Sequence, residues 1–287
     1  MTVIPDSHTP ADISLAARNL RFDLSDALAG DWHGDDGFKT ALFNALSITF
    51  PSGEQFFVES VRHFLPQLKD EKLKEHAAGF VQQEYVHRRE HQRYNETLCA
   101  LHGWNLDELE ARYLKRIEKV KQMLPPLGQL GATVCLEHLT AIMASGLLTD
   151  PRWLEGANAN MAALWRWHAI EEGEHKSVAF DVYRAVGGSA EQLHRLMKII
   201  FPQFAMRICL TIRQMRSLDN KTWLSYRFWR DGYRFLYGPD GIFQPLKPQY
   251  RDFFRAGFHP WQHDNRELLQ TWSDELAVLG NAELARG

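Results

Sequence analysis

Two copies of one motif, Glu-x-x-His, constrain the fold of this chain more than any other feature. The first copy joins Glu84 to His87, and the second joins Glu172 to His175. Both lie in long stretches whose apolar spacing predicts an α-helix. Residues three apart on a helix lie about 60° apart around its axis and about 4.5 Å apart along it, so both side chains of each motif can bind one metal ion. The motifs therefore predict two helices that face a common metal site.

A third helical stretch, residues 127–148, is largely apolar, and its only ionisable residues are Glu137 and His138. A carboxylate inside an apolar helix is costly to bury without a partner. Glu137 is therefore the strongest single candidate for a metal ligand, and a structural salt bridge is the alternative.

A fourth stretch follows Pro51, where the run Pro-Ser-Gly-Glu is typical of a helix start. Glu54 lies at this expected start, where a carboxylate interacts favourably with the positive end of the helix dipole. Glu59 lies one turn deeper, among phenylalanine and valine residues. We therefore predict that Glu59, rather than Glu54, is the ligand from this helix.

Three acids lie close to His175 in the second motif, and helix geometry separates them. Glu172 has the same spacing to its histidine as the glutamate of the first motif, so it is the predicted ligand. Glu171 lies four residues before His175 and is predicted to accept a hydrogen bond from a ligating histidine. Glu174 points about 100° away from His175. For Glu171 and Glu174, a position on a solvated helix face is the alternative.

His168 extends the second motif, because it lies four residues before Glu172 and seven before His175, on the same helix face. This spacing makes His168 a candidate third imidazole ligand. The alternative is a core histidine that packs beside Trp165 and Trp167.

The predicted ligand set combines four carboxylates with three imidazoles. It comprises Glu59, Glu84, His87, Glu137, His168, Glu172 and His175. Two divalent cations and four ionised glutamates sum to zero charge, so such a cluster can be buried without an uncompensated charge. Without metal the carboxylates would repel one another. His63 and His91 lie near the same helix faces, but we expect them outside the ligand set.

The pattern predicts an all-α fold, because no segment shows the alternation of a β-strand. We expect an irregular N-terminal segment over residues 1–34 and a single helical domain over 35–287. Within this domain, four helices form a bundle around the metals, with extra N- and C-terminal helices. Residues from about 190 to 287 form the C-terminal part of this elaboration.

Composition excludes several classes of protein. The net charge of −3 gives no basic surface for nucleic acid. Cys99, Cys135 and Cys209 lie far apart in apolar helical patterns, which predicts buried thiols in a reducing compartment. The N-terminus lacks the apolar core of a secretion signal, and the apolar stretch 196–212 is too charged to span a membrane. We therefore expect a cytoplasmic protein.

The ligand order Glu, Glu-x-x-His, Glu, Glu-x-x-His resembles that of the ferritin-like di-iron proteins, which include ribonucleotide reductase small subunits and bacterial monooxygenases. In several of these proteins an acid directly precedes the glutamate of the motif and supports the ligands. Glu171 matches that position, whereas Gln83 departs from it. The spacing of His168, Glu172 and His175 is similar to that in the arylamine N-oxygenases, which implies that His168 binds metal.

A closer resemblance is to a bacterial family described as predicted metal-dependent hydrolases. It rests on residues 46–54, which read Leu-Ser-Ile-Thr-Phe-Pro-Ser-Gly-Glu, and on residues 257–261, which read Gly-Phe-His-Pro-Trp. Phe56, Phe57 and residues 60–62 continue the first run. The resemblance covers roughly residues 35–262.

Carboxylate and imidazole donors without a thiolate favour iron, with manganese or zinc as alternatives. The resemblance to di-iron proteins implies a dinuclear centre that activates O2 to oxidise or oxygenate a small organic substrate. The alternative is a metal-dependent hydrolase that uses a metal-bound hydroxide. The expected partners are therefore a small-molecule substrate and O2. A homodimer and an electron-donor protein are further partners that this chemistry admits.

Overall fold

Side-chain caps begin the long helices of this chain. Asp36, Asp70, Asn105, Asn158 and Ser189 each accept a hydrogen bond from a backbone N–H in the first turn that follows. The computed structural model describes residues 9–222 and 224–284. Within these ranges the protein is helical and contains no β-strand, which confirms the predicted all-α class.

The helices follow one another with short connections. They are α1 (Gly37–Arg62), α2 (Glu71–His102), α3 (Leu106–Met123), α4 (Pro126–Thr149), α5 (Ala159–His175), α6 (Val178–Ala185), α7 (Ala190–Leu218), α8 (Tyr226–Tyr237), α9 (Lys247–Asp252) and α10 (Arg266–Leu284). Short 3-10 turns occur at Ala27–Ala29, Leu65–Gln67, Pro151–Trp153 and Pro260–Gln262. Before α1, the described residues contain only a 3-10 turn in place of the extra N-terminal helix that we expected.

α1 differs from the sequence prediction because it starts at Gly37 and continues through Pro51. A proline has no N–H, so the carbonyl of Ser47 loses the donor that residue 51 would otherwise supply. The side-chain amide of Asn95, on α2, donates to this carbonyl at 2.9 Å instead. The helix therefore passes the proline, and Glu54 lies in its interior rather than at its start.

The predicted helix 157–186 is divided into α5 and α6. Lys176 and Ser177 lie between them and hold the C-terminal segment. Lys176 Nζ donates to the carbonyl of His263 at 2.6 Å, and Trp261 Nε1 donates to Ser177 Oγ at 3.1 Å. The C-terminal segment is thus attached directly behind the second Glu-x-x-His motif.

Four helices carry the glutamates and histidines of interest, and each packs against two of the others. α1 packs against α2 and α4, and α5 packs against the same two helices. Buried aromatic residues such as Phe43, Trp165 and Trp167 fill one part of the core, and Phe80 and Leu130 belong to a second part. A ferritin-type bundle and a single domain over 35–287 stay predictions.

α4 is long and apolar enough to cross a membrane. However, 78% of its most apolar window is buried inside the protein, and it carries the buried Glu137. α4 therefore has the features of a core helix. The cysteines are free, as expected; Cys99 and Cys135 are buried, whereas Cys209 is exposed, contrary to the sequence prediction.

The predicted irregular segment 1–34 is described from residue 9 onward, and it crosses α2 closely at Gly79. A Cβ atom at Gly79 would lie 2.7 Å from Leu15 Cβ and 2.9 Å from the Leu15 carbonyl oxygen. Glycine is therefore required at this crossing. Three residues later, Arg18 contacts Glu171 and Glu174 on α5.

We expect Gly79→Ala to lower the free energy of unfolding by about 1–3 kcal/mol, because the new methyl group meets backbone that cannot move aside freely. Gly30→Ala is the control, since nothing lies within 4 Å of its Cβ position. It should change stability by less than about 0.5 kcal/mol. Thermal and urea unfolding measure both. Helix propensity alone would make Gly79→Ala more stable than the unmodified protein. An increase in stability would therefore contradict the close crossing.

Candidate metal centre

Seven polar side chains from four helices meet in the interior, and each is at most 5% exposed. They are Glu54 from α1, Glu84 and His87 from α2, Glu137 from α4, and His168, Glu172 and His175 from α5. Overlapping triplets of these residues offer ligand atoms that all lie within 4.8 Å of one another. The structure thus brings together six of the seven predicted ligands.

Glu59 is the predicted ligand that the structure does not bring into this cluster. Its side chain is 44% exposed, and its Oε2 lies 2.8 Å from Lys121 Nζ. Positions five apart on a helix point about 140° apart, so Glu59 and Glu54 cannot share a face. Glu54 contributes from α1 instead. Glu54 lies seven residues after Ser47, so the two residues lie on one face of a helix that continues through Pro51. This spacing is the sequence signal that could have identified Glu54.

Many atoms of the cluster lack a hydrogen-bond partner among the described residues. These atoms include both carboxylate oxygens of Glu54, Glu84 and Glu137, and Nε2 of His175. His175 Nε2 nevertheless lies 3.3 Å from Glu84 Oε1 and 3.4 Å from Glu137 Oε2. Buried polar atoms are nearly always satisfied in folded proteins. Converging lone pairs of oxygen and nitrogen are the arrangement that a bound cation satisfies, so the residues present fit a metal.

The electrostatics of the cluster lead to the same conclusion. Burial and repulsion by Glu137 raise the pKa of Glu84 well above its usual value. Burial and repulsion by Glu172 raise the pKa of Glu137 to about 7. Burial and repulsion between imidazoles lower the pKa of His87 well below its usual value. Bound cations would favour ionised carboxylates and neutral imidazoles, which are the ligand forms.

His87 lies beside Glu171, the residue predicted to accept a hydrogen bond from a ligating histidine. His87 Nε2 is 3.0 Å from Glu171 Oε2, a close contact whose angles are not those of a hydrogen bond, and His87 Nδ1 lies 4.0 Å from Glu172 Oε1. Glu171 Oε1 accepts hydrogen bonds from the backbone N–H of Arg18 at 2.7 Å and from Trp167 Nε1 at 3.2 Å. Glu171 is therefore buried and held in place, not part of a solvated face.

His175 is oriented by Gln83, which departs from the acidic pattern. Gln83 Nε2 donates to Glu174 Oε2 at 2.9 Å, and Arg18 holds the same carboxylate with bonds of 2.6 and 2.8 Å. The amide oxygen of Gln83 must then accept from His175 Nδ1, 3.0 Å away. This leaves His175 Nε2 facing Glu84 and the rest of the cluster. Glu174 points away from the metal site, as predicted, but it is buried rather than solvated.

His168 is oriented by a chain of hydrogen bonds that starts at Asn95. Asn95 donates to the Ser47 carbonyl, so its Oδ1 accepts from Ser47 Oγ at 2.7 Å. Ser47 Oγ then accepts from His91 Nδ1 at 2.9 Å. A neutral His91 that donates from Nδ1 has no proton on Nε2, so this nitrogen accepts from His168 Nδ1 at 2.9 Å. Burial lowers the pKa of His91 and so favours this neutral form. In a neutral His168, the lone pair of Nε2 therefore faces Glu172 Oε1 at 3.1 Å.

Two lone pairs at this distance repel each other unless a cation or a proton lies between them. The Asn95–His168 chain (Asn95, Ser47, His91 and His168) therefore supports His168 as an imidazole ligand. The ring of His168 also stacks on Phe50, with centroids 5.0 Å apart, so packing and ligation are combined. His91, which sequence analysis placed outside the ligand set, forms a hydrogen bond with each of its ring nitrogens inside the Asn95–His168 chain.

A second group of hydrogen bonds explains the run Gly-Phe-His-Pro-Trp at residues 257–261. His259 Nε2 lies 2.9 Å from Asp181 Oδ1, and Trp261 donates to Ser177, whose hydroxyl in turn donates to Asp181 at 3.2 Å. The carboxylate thus lies between the serine and the histidine. This order does not activate a serine nucleophile, so the group attaches the C-terminal segment to α6.

A family model described as predicted metal-dependent hydrolase matches residues 16–264, which is most of the chain. The protein therefore belongs to the family of predicted metal-dependent hydrolases, and the resemblance found in residues 46–54 and 257–261 is confirmed. Neither curated proteins nor solved structures gave a match to this chain. The relationships to ferritin-like proteins and arylamine N-oxygenases stay predictions.

The position of Glu54 can be tested against that of Glu59 on the same helix. We expect Glu54→Gln to bind fewer metal equivalents than the unmodified protein, because a neutral amide is a much weaker ligand than a carboxylate. Glu59→Gln should keep the unmodified metal content, because Glu59 pairs with Lys121 at the surface. Elemental analysis after reconstitution measures the difference. If Glu59→Gln loses metal and Glu54→Gln keeps all of it, Glu59 is the ligand from α1, as the sequence analysis predicts.

The Asn95–His168 chain can be tested through metal affinity. In Asn95→Leu, Ser47 Oγ no longer has its acceptor and can donate to His91 Nδ1, which reverses the proton order along the chain. His168 would then present N–H to the cluster, and metal affinity should fall about 10–100-fold. Asn44→Leu is the matched control, because Asn44 is also buried and its Oδ1 accepts from Trp32 and Tyr94, which are not members of the Asn95–His168 chain. Competition with a chelator measures affinity, and equal values for both variants would contradict the chain's role.

Proposed function

We propose that this protein is an enzyme that binds two metal ions among the buried glutamates and histidines of α1, α2, α4 and α5. The observation that carries the proposal is the set of converging, buried ligand atoms without hydrogen-bond partners. The proposed ligands are Glu54, Glu84, His87, Glu137, His168, Glu172 and His175. Four carboxylates balance two divalent cations, and this donor set suits iron, manganese or zinc.

The side chains divide into two groups that suggest one ion each. Glu84, Glu137 and His175 form one triplet, and His87, His168 and Glu172 form the other. Glu172 belongs to both sides, because its Oε1 faces His168 at 3.1 Å and its Oε2 faces His175 at 3.6 Å. Glu172 would therefore be available to hold an ion of either group.

Glu54 lies close to both groups, since it forms triplets with Glu84 and His87 and with His91 and His168. Its two oxygens have no other partner among the described residues. We infer that Glu54 supplies the fourth carboxylate of the centre and closes it on the side of α1.

Hydrolysis is the reaction that the family description favours. When bound, metal ions in such a centre would lower the pKa of a water molecule and polarise the oxygen of a scissile bond. The protein's own part is to fix its ligands: Glu171 contacts His87, Gln83 orients His175, and the Asn95–His168 chain orients His168. The apolar residues around the ligands limit the access of other water molecules.

The second candidate reaction is O2-dependent oxidation, which the surroundings of the cluster favour. A narrow cleft of about 40 Å³ adjoins His168 and Glu172, and its walls include Phe43, Phe50 and Met143. Such an apolar cleft admits O2 more readily than a polar substrate. Iron in the centre would supply the redox chemistry, and electrons would come from the substrate or a donor protein.

One reconstitution experiment separates the two reactions. Metal-free protein is loaded anaerobically with Fe²⁺, Mn²⁺ or Zn²⁺, and each form is given a series of 4-nitrophenyl acyl esters with and without O2. We expect ester cleavage with Zn²⁺ or Mn²⁺ that is independent of O2 and at least tenfold lower in Glu54→Gln than in Glu59→Gln. O2 uptake and new optical bands in the iron form alone, without ester cleavage, would favour oxidation. Binding of less than one metal equivalent by the unmodified protein would overturn the proposed centre.

A further inference from the structure

A cavity of about 570 Å³ lies between α1, α3, α4 and α7, apart from the metal ligands. This volume is typical of sites that bind small organic molecules. Most of its walls are apolar, and Phe56, Leu136, Ile200 and Phe204 are among the residues that line it. None of the seven proposed metal ligands is part of the wall.

Three arginines, Arg112, Arg116 and Arg207, line the same cavity, whereas no acidic residue does. Arg116 donates to the side-chain oxygen of Gln203. Among the residues that the structure describes, Arg112 and Arg207 form no ion pair with a carboxylate. Arg207 is half-buried and faces the ring of Tyr113, with its guanidinium carbon 5.4 Å from the ring centroid. Two neighbouring cations without an acidic partner, beside an apolar cavity, are complementary to an anion.

Part of the cavity wall comes from helices that carry proposed metal ligands. Thr49 and Phe56 of α1 lie on either side of Glu54 in sequence, and Leu136 of α4 directly precedes Glu137. The arginines belong to α3 and α7. A ligand whose anionic group binds the arginines can therefore also contact the helices of the proposed metal centre.

Tyr113 connects the cavity with Glu54. Its hydroxyl lies 2.9 Å from the position that a Cβ atom of Gly53 would occupy, so the absence of a side chain at Gly53 admits it. Burial and the nearby carboxylate of Glu54 raise the pKa of Tyr113 to about 12, although Arg207 opposes this shift. The cavity thus reaches α1 beside a proposed metal ligand.

We propose that this cavity binds the substrate, and that the substrate is an amphipathic carboxylate. Its carboxylate binds Arg112 and Arg207, and its alkyl part lies along the apolar walls toward α1 and α4. A carboxylate matches the planar geometry of a guanidinium group with two parallel hydrogen bonds. An uncharged apolar ligand would leave the half-buried Arg207 without an anionic partner, and a small anion would leave the apolar walls in water. The binding site stands on its own geometry, whereas the role of its ligand as substrate rests on the proposed function.

Calorimetry with three probes tests the site in the purified full-length protein, both metal-free and metal-loaded. Decanoate combines both features, 1-decanol has the chain without the charge, and acetate has the charge without the chain. We expect decanoate to bind with one molecule per protein, 1-decanol to bind at least tenfold more weakly, and acetate not to bind. Shortening the chain should weaken binding about fourfold per methylene group. Equal affinity for decanoate and 1-decanol would overturn the proposal.

Variants separate this cavity from other apolar surfaces. Arg207→Gln and Arg112→Gln should each weaken decanoate binding about tenfold and leave 1-decanol binding unchanged. Lys198→Gln is the control, because Lys198 is an exposed cation on α7 that does not line the cavity. Ala132→Leu reduces the cavity from the wall of α4 and should weaken both probes. Unchanged decanoate affinity in both arginine variants would overturn the site.

The same measurements show separately whether the proposed binding site or the proposed function of the metal centre is wrong. Decanoate should bind equally well to unmodified protein and to Glu54→Gln, since Glu54 does not line the cavity. If the loaded protein cleaves no decanoate-related ester but still binds decanoate, the proposed function fails and the binding site stands. A 4-nitrophenyl monoester of decanedioic acid keeps a free carboxylate for the arginines. If the loaded protein cleaves this monoester with identical kinetics in Arg207→Gln and in the unmodified form, the cavity is not the substrate site.

Discussion

Mutual repulsion among buried carboxylates is the constraint on which the rest of this structure depends. Glu54, Glu84 and Glu137 arrive from three different helices and meet where no donor among the described residues satisfies them. Such a group is stable only if cations or protons compensate it. The surrounding helices must therefore hold the carboxylates together against their repulsion, and the large buried aromatic residues of the core, such as Trp167 and Phe80, provide the packing that does so.

The orientation of the imidazoles depends on residues that touch no metal. Arg18 comes from the N-terminal segment, yet it binds Glu171 and Glu174, and these acids in turn contact His87 and Gln83. The segment before α1 is thus a structural part of the site. The cavity lined by arginines shares α1 and α4 with the buried cluster but none of its seven side chains. The two helices thus take part in two separate polar environments, one acidic and one basic.

Helical spacing is sufficient to predict the all-α class and to place most of the buried cluster, because Glu-x-x-His puts two side chains on one face wherever a helix forms. It failed at Glu54, because Pro51 was interpreted as the beginning of a helix. A local pattern cannot show that Asn95, 48 positions away from Ser47, replaces the missing backbone donor. It also could not predict the burial of Glu174, since the arginine that compensates it lies 156 positions away in the chain.

The proline in α1 has a consequence for the order of events in folding. The carbonyl of Ser47 finds its donor on α2, so the hydrogen bonding of α1 is complete only after the two helices have packed together. The same amide fixes which nitrogen of His168 carries the proton. The site's donor atom is therefore selected while the chain folds, not when a metal ion arrives. If the cluster binds metal as proposed, uptake therefore needs no rotation of the His168 ring and no proton exchange along this buried row of side chains.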